Sequence, residues 1–358
     1  MKKKIIALML VFALCAVTIC GCGKDANYFS EVEDFIKSGD NIAEGTIKID
    51  ASGDALRAQT PMFVDGMKIT IKYKAQMDDD GNSAIDLAVK NQDGEFADLT
   101  TIVKYGNVLY FTTDGIIKYV KENGLDTTGQ IESSFKQLGI EKAAKISIKD
   151  LCEFAGVKYK SGMFDFNEIK DDLGDYIEDM TDIFEDNFSN LTGKDGDDYT
   201  FTLDKNNVSK AVDDLTNIKD EDIEDIYDET TELFKKIFGS ELTRNIPSYS
   251  DVSSKVKNAK KEAKQNKKEL VKKFDDANVS IESKVNADDK TMSLSFGMSR
   301  EYSGEFNISE TMKTSSGDVD IKKMVPSDAK DLAAVLNSYK NQMNSYSNYN
   351  YNNSTATY

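Results

Sequence analysis

The sequence predicts an α+β fold: one long antiparallel sheet, curved like a half-barrel, formed by strands from both ends of the chain, with inserted helices on one face. Two observations carry that expectation. Apolar residues alternate without a break at Met67, Ile69, Ile71, Tyr73, Ala75 and Met77, and again at Met292, Leu294, Phe296 and Met298. That is the period of a strand with one buried face. Between these stretches the period lengthens: Ile169, Leu173, Tyr176, Ile177, Met180, Ile183, Phe184 and Leu191 recur at helical intervals, the stripe of an amphipathic helix.

In chain order, Tyr28, Val32, Phe35 and Ile36 predict a short first helix. Residues 46–51 read as a strand, and Met67–Met77 returns through a turn at residues 78–82 into a strand carrying Ile85, Leu87 and Val89. Strands at 99–104 and Val108–Thr112 continue the meander. Ser147, with Asp150 three residues on, caps a short helix that holds Cys152. The long acidic helix starts near Asp165, and residues 199–203 form a lone strand. Val208, Ala211, Val212 and Leu215 mark one further helix, and Ile223, Ile226, Tyr227, Phe234 and Ile237 mark the next. Pro247 precedes a lysine-rich helix with Val252, Val256, Ala259, Ala263, Leu270 and Phe274 along one side. Strands at 279–285, 292–302, 306–312 and 319–324 close the sheet. Pro326 and Ser327 open a last helix through Leu332, Val335, Leu336 and Tyr339. The Asn-, Ser- and Tyr-rich residues 341–358 predict a disordered tail. The body, residues 41–340, is expected to be one domain, with a division near residue 240 as the alternative.

The amino terminus gives an address. Lys2, Lys3 and Lys4 precede an apolar run too short for a comfortable transmembrane helix, closed by Ile19-Cys20-Gly21-Cys22. This resembles the lipobox of bacterial lipoproteins. It implies a signal peptide over residues 1–21 and a diacylglyceryl group on Cys22, followed by a lipidated segment and short helix over 22–40. Cys20 fits less well, since bulky Ile19 would precede the cleaved bond, and Cys15 lies inside the apolar core. Two acyl chains suffice for stable anchoring, each buried methylene contributing about 0.8 kcal/mol. The chain is thus expected on the extracytoplasmic face of a cell membrane, partnered with it through the anchor.

Composition removes several classes of function. The chain carries 45 Lys and Arg against 63 Asp and Glu, and the leader takes three lysines with it, moving the net charge from −18 to −21. That disfavours nucleic acid as a partner. There is no histidine, so neither a Ser-His-Asp triad nor an imidazole zinc site can form. No catalytic residue, metal ligand or cofactor site is read from the sequence, and an enzyme is not expected. Acidic clusters at 78–80, 195–198 and 220–225 lack the spacing of a calcium loop. Cys152 reads as a buried structural thiol. Nine lysines within residues 255–273, against Glu262 and Glu269, are expected to meet the acidic helix at 168–186, with an anionic lipid or wall polymer as the alternative.

The element order resembles that of half-barrel lipoproteins of the LolA, LppX and LprG type: a lipidated cysteine, an early helix, a long antiparallel meander, inserted helices and closing strands. The longer acidic middle and the added tail depart from that pattern. The resemblance implies an apolar cavity between sheet and helices that holds acyl chains. Met67, Ile69, Ile71, Tyr73, Leu294, Phe296 and Met298 are then the ligand-facing candidates, with methionines suiting an adaptable pocket. The implied task is binding or transferring a lipid-like or apolar molecule. The competing expectations are a cell-envelope interaction protein with a solid core and a carboxylate-dependent hydrolase of wall glycans.

Overall fold

A computed structural model describes residues 28–53, 66–91, 94–124, 126, 128–159, 161, 166–242, 246–300 and 304–333. Cys22 with its lipobox and the tail over 341–358 lie outside the described residues, as do Val335, Leu336 and Tyr339 of the expected last helix.

Helix α1 (Tyr28–Lys37) leads into β1 (Ile42–Ser52), β2 (Met67–Met77), β3 (Ser83–Lys90), β4 (Phe96–Tyr105) and β5 (Val108–Thr112). Helices α2 (Asp114–Glu122) and α3 (Gln130–Leu138) precede β6 (Ala143–Ser147) and α4 (Ile148–Phe154). The long α5 (Phe166–Phe188) is followed by β7 (Thr192–Asp195) and β8 (Asp198–Leu203). Then come α6 (Val208–Asn217), α7 (Asp220–Leu242), α8 (Tyr249–Gln265) and α9 (Lys267–Asp276). Strands β9 (Ser280–Asn286), β10 (Thr291–Arg300), β11 (Gly304–Ser315) and the two-residue β12 (Lys330–Asp331) end the series.

The fold is α+β, as the sequence predicts. Twelve strands are hydrogen-bonded in the order β12-β6-β5-β4-β3-β2-β1-β11-β10-β9-β8-β7, an open ladder with two ends. Its seam joins the two ends of the chain: β1 and β11 pair antiparallel from Ile42 against Ser315 to Ser52 against Glu305. The chain divides into two compact units, residues 1–72 with 164–317, and residues 73–163 with 318–358.

In the first unit the core gathers where helices meet the sheet. Tyr28, Phe29, Val32 and Phe35 share one face of α1 and are at most 3% exposed. They join Tyr176, Ile177, Met180, Phe184 and Phe188 of α5, Leu233 of α7, Phe201 of β8 and Val285 of β9. Tyr28 and Phe29 pack edge to face at 5.4 Å between ring centroids. Each such side chain taken out of water contributes about 1.5–3 kcal/mol. A second cluster sets Val208 and Val212 of α6 against Phe274 of α9. Asp40, its side chain 1% exposed, clasps the strand ends. It accepts from Lys290 at 2.8 Å, Thr314 at 2.8 Å and Ser316 at 2.6 Å. Lys290 and the two hydroxyls hold its carboxyl well below the usual carboxylate range despite its burial.

In the second unit Ala84, Val103 and Ile321 form a small core with Tyr105, Tyr110, Val319, Met324 and Val325 around it. Ser147 caps α4 as expected, its hydroxyl accepting from the Asp150 amide at 3.0 Å. The turn after β2 is closed by Asp78, whose carboxylate accepts from the amides of Asp80 and Asn82 at 3.0 and 2.9 Å. That is turn chemistry for the 78–80 cluster. Glycine is required at position 115, where a Cβ would lie 2.5 Å from the Asp98 carbonyl.

Four expectations are corrected. Residues 321–324 form a short 3₁₀ helix, not a strand, because fully buried Ile321 plugs the second unit's core as a single anchor. The strand at 199–203 is not alone: β7 and β8 form a hairpin in which Asp195 pairs with Asp198, and β8 also pairs with β9. Its two-residue turn begins at Gly196, with φ of 66°, the left-handed start that tight hairpins favour. The lysine-rich helix is two helices, broken at Asn266, whose backbone and side-chain amides both donate to the Glu262 carbonyl at 2.9 Å. After Pro326 the chain does not enter a helix at once, since Lys330 and Asp331 pair parallel to β6.

Candidate functional site

Directly paired residues of antiparallel strands point to the same face, and neighbours along a strand alternate. Register therefore sorts the first unit's strands into two faces. Met292 pairs with Val285 and Met312, Phe296 with Ile281 and Ile308, and Met298 with Phe306. Ile308 in turn pairs with Ile49 and Phe306 with Ala51. Across β8, Tyr199 pairs with Val285 and Leu203 with Ile281. One face of β8, β9, β10, β11 and β1 is thus almost wholly apolar. The opposite face is hydroxyl- and lysine-rich, with Thr200, Lys284, Ser293, Thr311 and Thr46 forming one register row.

The apolar face is covered unevenly. At the β8–β9 side Phe201 and Val285 are 6% and 1% exposed beneath α1 and α5. Across β10, β11 and β1, Leu294, Phe296, Met298, Phe306, Ile308, Ile47 and Ile49 are all only half-buried. Phe296 and Phe306 stand 6.2 Å apart, ring to ring. One polar residue interrupts this stretch: Glu310, paired with Leu294 and Ile47.

The structure thus brings the sequence candidates Leu294, Phe296 and Met298 together on one strand face. Met67, Ile69 and Ile71 are half-buried on β2, hydrogen-bonded beside β1. Tyr73, also half-buried, falls in the second unit and is not grouped with them. Ile47, Ile49, Phe306 and Ile308 complete the face and were not among the candidates. Their own alternation (306, 308 and 47, 49, 51) signals half-burial, but only the β1–β11 pairing places them beside Phe296. In the second unit Ile85 and Ile102 are paired and each 40% exposed.

Charge is arranged on the helices. Asp179 and Asp182 are exposed, yet partial desolvation pushes both up, helped by Glu178, Asp175 and Asp225 at Asp179 and by Glu178, Asp186, Asp179 and Glu33 at Asp182. Facing them from α7, Glu229 is pushed up by burial and Asp179, with Glu232 and Asp225 adding and Lys236 opposing. Lys236 bonds Asp172 at 2.6 Å. Among the described residues the lysine-rich pair α8–α9 makes its ion pairs away from this acidic helix, contrary to the expectation. Lys257 and Lys260 reach Asp220 at 3.1 and 3.8 Å, and Lys267 reaches Asp213 at 2.5 Å. The lysines meet α6 and the start of α7, because α8 packs on those helices.

Cys152 is buried and unbridged, and burial pushes its thiol up, which suppresses the thiolate a nucleophile needs. Among the described residues no group of three or more acidic or cysteine side chains could hold a metal ion. Among them, too, no helix is long and apolar enough to cross a membrane. No protein-family model, curated protein or solved structure matches the chain.

Proposed function

We propose that this chain is a lipoprotein, tethered through Cys22 to the extracytoplasmic face of a cell membrane, that binds or passes on a lipid-like or apolar molecule. Its role is that of the half-barrel lipoproteins it resembles in element order, with no covalent step. The observation that supports this reading is the half-buried apolar face of β10, β11 and β1. An apolar surface of this kind, interrupted at Glu310, has a free-energy gain of about 25 cal/mol per Å² of its exposed area still to collect from an occupant. Phe296, Phe306, Ile308 and Met298 would contact acyl or ring carbons, and Met298 would adapt its shape to them.

The test is extraction of the purified protein with organic solvent, followed by mass spectrometry of the extract. The covalent anchor on Cys22 stays with the polypeptide, so the extract reports bound ligand alone. A recurring lipid, and uptake of a fluorescent fatty acid by the emptied protein, are the expected results. Repeated absence of both, together with a stable protein neighbour crosslinked on intact cells, would replace this reading with that of an envelope interaction protein.

A further inference from the structure

The opposite, polar face of the same strands carries a feature unrelated to an apolar ligand. A depression of about 490 Å³ opens there, lined by Lys72, Lys284, Lys313, Thr46, Ser293 and Thr311 and bordered as well by Val285, Met292 and Met312. Register explains how they converge. Thr46 pairs with Thr311, Thr311 with Ser293 and Ser293 with Lys284, a row across four strands. With strands about 4.8 Å apart, three hydroxyls and an ammonium group follow one another over about 14 Å. Lys313 sits two residues along β11 from Thr311, and Lys72 enters from β2.

The three lysines are not equivalent. Lys284 is held between Asp195 at 2.8 Å and Glu282 at 3.3 Å. Lys72 and Lys313 are exposed and have no ion-pair partner among the described residues. Two acids, Glu44 and Asp198, also border the depression. Asp198 accepts from the Asn286 side-chain amide at 3.2 Å, so part of its acceptor capacity is already used. No aromatic residue lines the depression, which leaves no platform for stacking a sugar ring or a base. Ammonium groups and hydroxyl donors without an aromatic are the chemistry that receives phosphate oxygens. On a chain of net charge −18, long-range attraction cannot deliver an anion, so recognition must come from these short-range donors.

We propose that this depression binds the phosphate of a phosphate ester, either free in solution or on a lipid headgroup. The test uses the full mature chain with Cys22→Ala, so that no acyl anchor enters a membrane, labelled with ¹⁵N and titrated with glycerol 3-phosphate. Amide signals of Ser293, Thr311 and Lys313 should shift, and K72E/K313E should weaken binding at least tenfold. The control K255E/K261E, with the same charge change on exposed α8 positions, should weaken it less than threefold. If the reversed charges disturb folding, K72Q/K313Q should still weaken binding. Retention on phosphatidylglycerol vesicles with the same sensitivity, but no response to glycerol 3-phosphate, assigns the phosphate to a headgroup. No shift and no vesicle retention, or equal weakening by the control, would overturn the proposal.

Discussion

The apolar face of the first unit has two parts with different fates. On β8 and β9 it is sealed: Phe201 and Val285 lie under Tyr28 and Phe29 of α1. On β10, β11 and β1 side chains of the same character and parity, Phe296, Phe306, Ile308 and Ile49 among them, stay half-buried. The contrast separates stability from function. Where helices close over the face, its side chains belong to the core that holds the unit together. On β10, β11 and β1 the same side chains keep part of their surface exposed, the part that the proposed ligand would use.

The sharpest way to break that contrast is to truncate one residue on each side. Phe29→Ala empties a site 2% exposed in the sealed part and should cost about 3–5 kcal/mol in urea unfolding. Asp40→Asn acts next, removing the charge that Lys290, Thr314 and Ser316 share, at about 1–3 kcal/mol. Phe296→Ser, in the half-buried part, should cost less than Phe29→Ala in the same titration, yet reduce fatty-acid uptake. A loss of stability equal to that of Phe29→Ala would place Phe296 in the core and remove the distinction.

The pH dependence of unfolding sharpens the comparison at smaller scale. Asp179, Asp182 and Glu229 bind protons more readily in the folded chain than in the unfolded one. Their strain is present at neutral pH and relieved as pH falls through their raised folded values, so stability should rise over that fall until their ordinary values of about 4 are reached. Asp40 has the opposite sign, because its folded value is depressed. Its contribution holds above the unfolded value of about 3.9 and is lost as pH falls through the folded value. A maximum on the mildly acidic side is therefore expected by thermal melting. Asp179→Asn, on an exposed position, should raise neutral-pH stability by only about 0.2–0.5 kcal/mol.

What the sequence makes legible follows local physics. Val108–Thr112 is bounded by a turn whose residues are named in the chain, and Ser147 with Asp150 caps a helix within four residues. β6, reading Ala-Ala-Lys-Ile-Ser, is too short and too small to alternate. Val319 and Ile321 flank Asp320 as a strand would have them, yet residues 321–324 fold as a 3₁₀ helix that places fully buried Ile321 in the core, with Val319 and Met324 beside it. For the candidate site, alternation correctly assigns Leu294, Phe296 and Met298 to one face. It cannot say that Ile49 and Ile308 lie beside them, since that needs β1 to find β11 across more than two hundred residues. Nor can it tell a buried stretch of the face from a half-buried one, since Phe201 and Phe296 look alike in sequence and differ in burial.

One measurement bears most directly on the proposal that the half-buried part of the face takes an apolar occupant. Wild-type protein and a Leu294→Asp/Phe296→Asp variant of matched fold would be purified under mild conditions and their solvent extracts weighed against each other by mass spectrometry. A lipid present at close to equimolar ratio in the first and depleted at least tenfold in the second is the predicted result. Equal recovery from both, or none from either, would contradict it.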